Sequence, residues 1–191
     1  MTGSMHIPGD SDDARSVRTR DALATALIAL MDGRDYNEIS VQHLCDRAQV
    51  GRSTFYAHFA DKDEMFIRHT VVFGRTMGEK LGWDPARGSY RFPVAVMFDH
   101  LRQMRPMIES LKKANKAEFV MKVWQNNLAE VFEQRVVAAR GGVPADVPAG
   151  IMAQQLAGTF MTLLVWWLDH HYPHEASEME DQWGRLVKGL R

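Results

Sequence analysis

A chain of 191 residues, 46% hydrophobic and 25% charged, has enough apolar mass for one or two cores and lacks the polar bias of a disordered chain. Its net charge of −1 excludes a wholly basic polyanion binder, though not a local basic patch, and its single cysteine, Cys45, excludes an intrachain disulfide framework. The opening "MTGSMHIPGDSDDARS" has no apolar stretch, so it does not read as a signal peptide, and residues 1–13 are expected to form a disordered leader.

Leu23, Leu27, Leu30 and Met31 share one face at helical spacing, which predicts a first helix from about Ala14 to Asp32, with Gly33 near its end. Ser40 is suited to cap a short second helix carrying Val41, Leu44, Cys45 and Ala48. After "AQVG", Gly51 opens a third short helix that Phe55 and Phe59, four apart, anchor inward. Asp61, with Glu64 three residues on, has the form of a capping box for a fourth helix running to about Lys80.

"GWDPARGSYRFP" reads as a loop from its Gly and Pro content, and composition places a domain boundary near it, with the fourth helix straddling the two parts. Val94, Phe98, Leu101 and Met104 predict a helix that stops before Pro106; a short "PMIESLKK" segment follows. Ala117 to about Arg140 make a longer helix with Val120, Val123, Trp124, Val131 and Phe132 inside, and "GGVPADVP" is a loop. Ala149 to about His170 form the most apolar helix; its run Leu156–Leu168 is too short to cross a bilayer and reads as buried. The last helix carries Met179, Trp183, Leu186 and Leu190 on one stripe. No stretch sustains strand-like alternation, so the fold class is all-α.

Two short helices separated by "AQVG" have the form of a helix-turn-helix. The second buries Phe55 and Phe59 and leaves Arg52, Ser53, Thr54, Tyr56 and His58 as hydrogen-bonding groups on the outer side, where base edges and phosphates are reached. The segment "YNEISVQHLCDRAQVGRSTFYAHFADKDEM" resembles the DNA-binding domain of the TetR family of bacterial transcriptional repressors, over roughly residues 15 to 66. The stretch "LLVWWLDHHYPHEASEMEDQW" also resembles the last two helices of one branch of that family.

The resemblance implies a helix-turn-helix domain over residues 14–62 and a helical effector-binding and dimerisation domain over 63–191. It implies a homodimer that binds double-stranded DNA and responds to an unidentified small-molecule effector; the chain is further expected to be cytoplasmic, with no cofactor, no metal, no membrane partner and no catalytic residue. The recognition helix maps onto Gly51 to His58, with Arg52, Ser53 and Thr54 facing bases. Tyr56, His58 and Lys62 match phosphate-clasping positions, as do Thr19 and Arg20 on the first helix; Ser40 matches the cap of a helix whose N-terminus points at the DNA backbone. Two departures stand out. Gln49 occupies a turn position where the family usually has Gly, and Ala57 one where a long polar residue is common.

In the second domain, Phe98, Leu101, Met104, Trp124, Gln125, Gln155 and Thr159 are the expected effector-pocket residues, since adaptable Met and aromatic side chains with a few polar groups suit an apolar cavity. Leu163, Trp166, Trp167, Met179, Trp183, Leu186 and Leu190 are the expected dimer interface, a four-helix contact with a second subunit. Asp169, His170, His171 and His174 are all ligand types, so a helical metal-binding protein or enzyme is the alternative from another class. Pro173 breaks the helix between them, however, and no recognisable catalytic motif accompanies them. A constitutive DNA-binding regulator without effector is the other alternative. Cys45, on an apolar face, is expected to pack rather than to sense oxidants.

Overall fold

The computed structural model describes residues 14–139 and 147–188. The leader, the expected helix end at Arg140, most of the "GGVPADVP" loop and Leu190 lie outside the described residues. Two hydrophobic clusters organise the rest, one in the head and one in the body.

Helix α1 (Ala14–Met31) turns Leu23, Ala24, Leu27 and Met31 into the head, and a 3-10 turn (Tyr36–Glu38) connects it to α2 (Val41–Ala48). The hydroxyl of Ser40 accepts from the backbone N–H of His43 at 3.2 Å while the His43 ring accepts from the N–H of Ser40, so a histidine completes this capping box. Gln49 closes α2 at φ 55°, ψ 39°, a left-handed conformation that costs a side-chain-bearing residue about 1–2 kcal/mol. Helix α3 (Arg52–His58) follows directly. Asp61 caps α4 (Lys62–Gly78) through the N–H of Glu64, whose own carboxylate reaches back to the N–H of Ala60 at 2.6 Å.

The Gly- and Pro-containing stretch expected to be a loop is instead a β-hairpin, β1 (Gly82–Asp84) paired antiparallel with β2 (Ser89–Arg91). Trp83 meets Tyr90 edge-to-face at 5.2 Å, the Asp84 carboxylate accepts from the N–H groups of Ala86 and Arg87, and Gly88 supplies φ 58° at the turn. Three residues per strand are too few to register as alternation. All-α therefore holds for the architecture, with this one hairpin added.

In the body, α5 (Val94–Gln103) and α6 (Arg105–Lys113) are consecutive, with Pro106 in the first turn of α6, where its missing N–H is harmless. Helix α7 (Ala117–Ala139) packs along both α4 and α8 (Ala149–Asp169), and α9 (Ala176–Lys188) covers α5, α8 and β2. A Cβ on Gly78 would lie 3.0 Å from Val131, so this glycine is what lets α4 lie close on α7. Helix α8 has the length and apolarity of a membrane-crossing helix, but half of it is buried against the protein, with Leu156, Phe160, Leu164 and Trp167 in the core.

Candidate nucleic-acid interface

The head is built so that one helix edge stays outside. In α3, Phe55 is 0% exposed and Phe59, just beyond its end, is buried beside it, their rings 5.8 Å apart. Leu44 and Cys45 of α2 lie in the same cluster. That fixes the helix's rotation: Arg52, Ser53 and Thr54 are exposed, Tyr56 is 50% exposed, and His58 is half-buried with its ring tilted against Phe59. The Arg52 guanidinium lies 5.9 Å from the centre of the Tyr56 ring, a contact that holds the cation over the outer edge.

A groove of about 320 Å³ runs between α1 and α3, lined by Arg15, Ser16, Thr19, Ser53, Thr54, Ala57 and His58. Beside it, Arg15, Arg18, Thr19, Ala22 and Val50 line a second hollow. Thr19, Ser53, Thr54 and His58 are thus brought together, and the small Ala57 leaves the groove open at its middle. Arg20 lines neither hollow; it lies on the same side of α1 as Ala24 and Leu27. Arg15, Ser16 and Arg18 were missed in the sequence. Arg15 and Ser16 stand four and three residues before Thr19 on the same side of α1, one turn outward from Leu23, and that spacing is the signal that finds them; Arg18 flanks it. Ser40 sits at the head of α2 with its hydroxyl committed to the cap.

Lys62 corrects its expectation as a phosphate contact. Its ammonium turns inward, donating to the backbone carbonyls of Tyr36 and Ile39 and lying 4.4 Å from the centre of the Tyr36 ring. Burial lowers its pKa, with nearby Asp63 opposing and Lys116 adding to the drop. Its charge braces the turn ahead of α2. Cys45 is buried, and burial pushes its thiol up against the weaker pull of Arg52, which suits packing and not thiolate chemistry.

The expected effector-pocket residues do not converge. Phe98 is wholly in the core, Gln155 is exposed, Met104, Gln125 and Thr159 are half-buried, and Thr159 donates to the Gln155 carbonyl of its own helix. Only Leu101 and Trp124 border a narrow apolar seam of about 30 Å³, together with Phe66, Thr70, Met107, Ile108, Leu111, Ala117, Val120 and Met121. Three of the seven expected dimer residues are corrected too. Trp167, Met179 and Trp183 are at most 1% exposed within a single chain and have no surface to offer a partner. Leu163 is half-buried, and Trp166 and Leu186 remain outside at 41% and 52%. On α9 the buried stripe runs Met179, Trp183, Val187, which leaves Leu186 on the outer side.

The His-rich segment is organised around an aromatic ring. His170 and His174 both stack on Trp166, at 4.5 and 5.9 Å, and His174 pairs with Glu178. Among the described residues, no three His, Cys, Asp or Glu side chains converge as a metal site.

Residues 23–68 match the model of the bacterial regulatory proteins, tetR family. The uncharacterized HTH-type transcriptional regulator YxbF of Bacillus subtilis (strain 168) is 28% identical over 149 residues, 74% of this chain; the chain spans about a third (33%) of that protein's length. Among solved structures, the TetR transcriptional regulator from Streptococcus agalactiae 2603V superposes with a TM-score of 0.55 at 21% identity, covering 91% of this chain and 95% of that one. The dihydroxyacetone kinase operon activator DhaS does so with 0.62 at 16%, covering 90% and 94%. At these identities the structural likeness carries the fold, and the family-model match carries the head. Residues 23–68 therefore carry the DNA-binding domain of the tetR family of bacterial regulatory proteins.

Proposed function

We propose that this chain is a cytoplasmic repressor that binds a near-palindromic duplex as a homodimer and leaves it when a small molecule enters the body. The observation that carries the reading is the split of α3, with Phe55 and Phe59 locked inside and Arg52, Ser53, Thr54 and Tyr56 presented outside, Ser53 and Thr54 sharing a groove with Arg15 and Thr19 of α1. Arg52 is the residue suited to base edges, because a guanidinium can bond two acceptors of one guanine. Thr19, Tyr56 and His58 suit phosphates, which hold the helix in register without reading sequence.

Pairing is supported by the outer side of α8 and α9, where Ile151, Val165, Trp166 and Leu186 are exposed. A second copy would cover them and set two recognition helices about 34–36 Å apart, or a multiple of that, along the groove. The seam supports an effector that is small, apolar and uncharged. No charged side chain lines it, Thr70 spends its hydroxyl on the Ile67 carbonyl, and the Trp124 indole N–H spends its hydrogen on the Thr70 carbonyl. At about 30 Å³ it must open to admit a ligand, and Met107 and Met121 have the unbranched side chains to give way. Such a ligand releases DNA only by the margin with which it prefers the opened body.

The test is recovery of bound duplex from genomic fragments, followed by titration of that duplex with the purified chain, its mass in solution, and transcription from the adjoining promoter with and without it. Specific binding by a dimer that lowers transcription supports the reading. A monomer that binds all duplexes alike overturns it, and a rise in transcription overturns the repressor part.

A further inference from the structure

The head is not closed by its own residues. Leu111 and Ala114, on and just beyond α6 in the body, belong to the head's hydrophobic cluster, and two polar side chains beside them reach the segment that leads into α2. Ser110, 3% exposed, accepts from the backbone N–H of Tyr36 at 2.7 Å and donates to the backbone carbonyl of Arg34 at 3.3 Å. Lys116 donates to one carboxylate oxygen of Asp63 at 2.7 Å, while the Tyr36 hydroxyl donates to the other at 2.6 Å. Lys62 then ties the carbonyls of Tyr36 and Ile39 to the start of α4. One residue past Ile39 stands the Ser40 cap. The backbone at 34–39 is therefore held by α4 from one side and by the α6–α7 junction from the other.

We infer that Ser110 and Lys116 are positioning residues for DNA binding, a latch that sets the angle of the head on the body and hence the spacing between the two recognition helices of a pair. The inference rests on the proposed paired-head reading. Neither residue lines the grooves of the nucleic-acid interface, so neither touches the duplex in this arrangement. Both adjoin the apolar seam in sequence, since Leu111 and Ala117 line it. A molecule parting α6 from α4 would draw on the latch before it reached the α2–α3 pair. A head held only through α4 would bind its own half-site as before and lose only its fixed spacing to the partner head.

The experiment uses the full chain with Ser110→Ala, Lys116→Met and Lys116→Arg, and a duplex selected from a random pool by the wild type. Each protein is titrated against that duplex, against one of its half-sites alone, and against versions with the half-site spacing lengthened or shortened. Lys116 is partly exposed, so its variants keep the chain folded even if the loss of Ser110 loosens the head. The latch predicts half-site affinity unchanged in Lys116→Met, full-site affinity reduced about tenfold, which is what one charge-assisted hydrogen bond is worth, and a flattened dependence on spacing. Lys116→Arg restores both. Wild-type spacing dependence in Lys116→Met, or an equal loss on half-site and full site, overturns the latch while leaving DNA binding intact. A wild type that selects no duplex with two half-sites overturns the paired-head reading and the latch with it.

Discussion

The head and the body obey the same packing rules but differ in how much of the packing can be read from the sequence. In the head, short helices alternate apolar and polar faces sharply: Phe55 and Phe59 stand among Arg52, Ser53, Thr54 and Tyr56, so burying the first pair dictates where the others point. In α8 apolar residues run all round the helix, and nothing in "LLVWWL" says which tryptophan is inside. The structure buries Trp167 and leaves Trp166 out, where His170 and His174 stack on it. A pattern orients a helix only when its two faces differ.

The largest expected effects probe that contrast directly. Trp183→Ala removes a side chain that is 1% exposed within one chain, so it should destabilise folding by about 3–5 kcal/mol, read by denaturant titration, whether or not the protein is dimeric. Leu186→Ser, one helix face away and 52% exposed, should leave the unfolding of a single chain nearly unchanged and weaken self-association, read by sedimentation. Equal effects of the two on folding would mean that the face of α9 has been assigned wrongly.

Within the head, Arg52→Ala should change which base is preferred at one position of each half-site, by about 1–3 kcal/mol of discrimination. Tyr56→Phe and Thr19→Ala should weaken binding alike on every sequence, since phosphates carry no base identity. Competition titrations with base-substituted duplexes separate the two behaviours. Gln49→Gly is expected to raise stability by about 1 kcal/mol by relieving the left-handed turn at φ 55°, with DNA preference unchanged.

The smallest effect is a pH slope in the body. Burial lowers the pKa of His100, whose ring stacks on Phe73 at 4.4 Å. The unfolded chain therefore binds this proton more readily than the folded one. Its contribution is complete above the ordinary value of about 6.5 and is lost as pH falls from there through the lower folded value. His100→Gln should flatten unfolding free energy against pH in that window. Asp63 acts at lower pH: burial pushes its carboxyl up, but the hydrogen bonds from Lys116 and Tyr36 outweigh it and hold the pKa below the usual carboxylate range. The latch's support is thus present above about pH 4 and is lost as pH falls through the depressed value.

What stayed illegible was mostly side-chain direction and long-range pairing. The position of Lys62 agreed with a phosphate contact, yet its ammonium donates to the carbonyls of Tyr36 and Ile39, and no local rule foretells that choice. Ser110 lies 74 residues from Tyr36, so its role appears only once the chain has folded. The hairpin hid in strands of three residues. By contrast, the Ser40 and Asp61 caps and the inward Phe55 and Phe59 are readable because caps and helical spacing are local, whereas the left-handed turn at Gln49 is legible only through the family resemblance.

The most direct test of the account is a salt titration of the purified chain on a duplex selected from a random pool, with wild type and Arg52→Ala side by side. The account predicts tight binding that weakens steeply with salt, and a changed base preference in the variant with the salt slope nearly kept. A wild type that shows no preference for the selected duplex over random DNA, or a variant whose preference is the same as wild type, contradicts it.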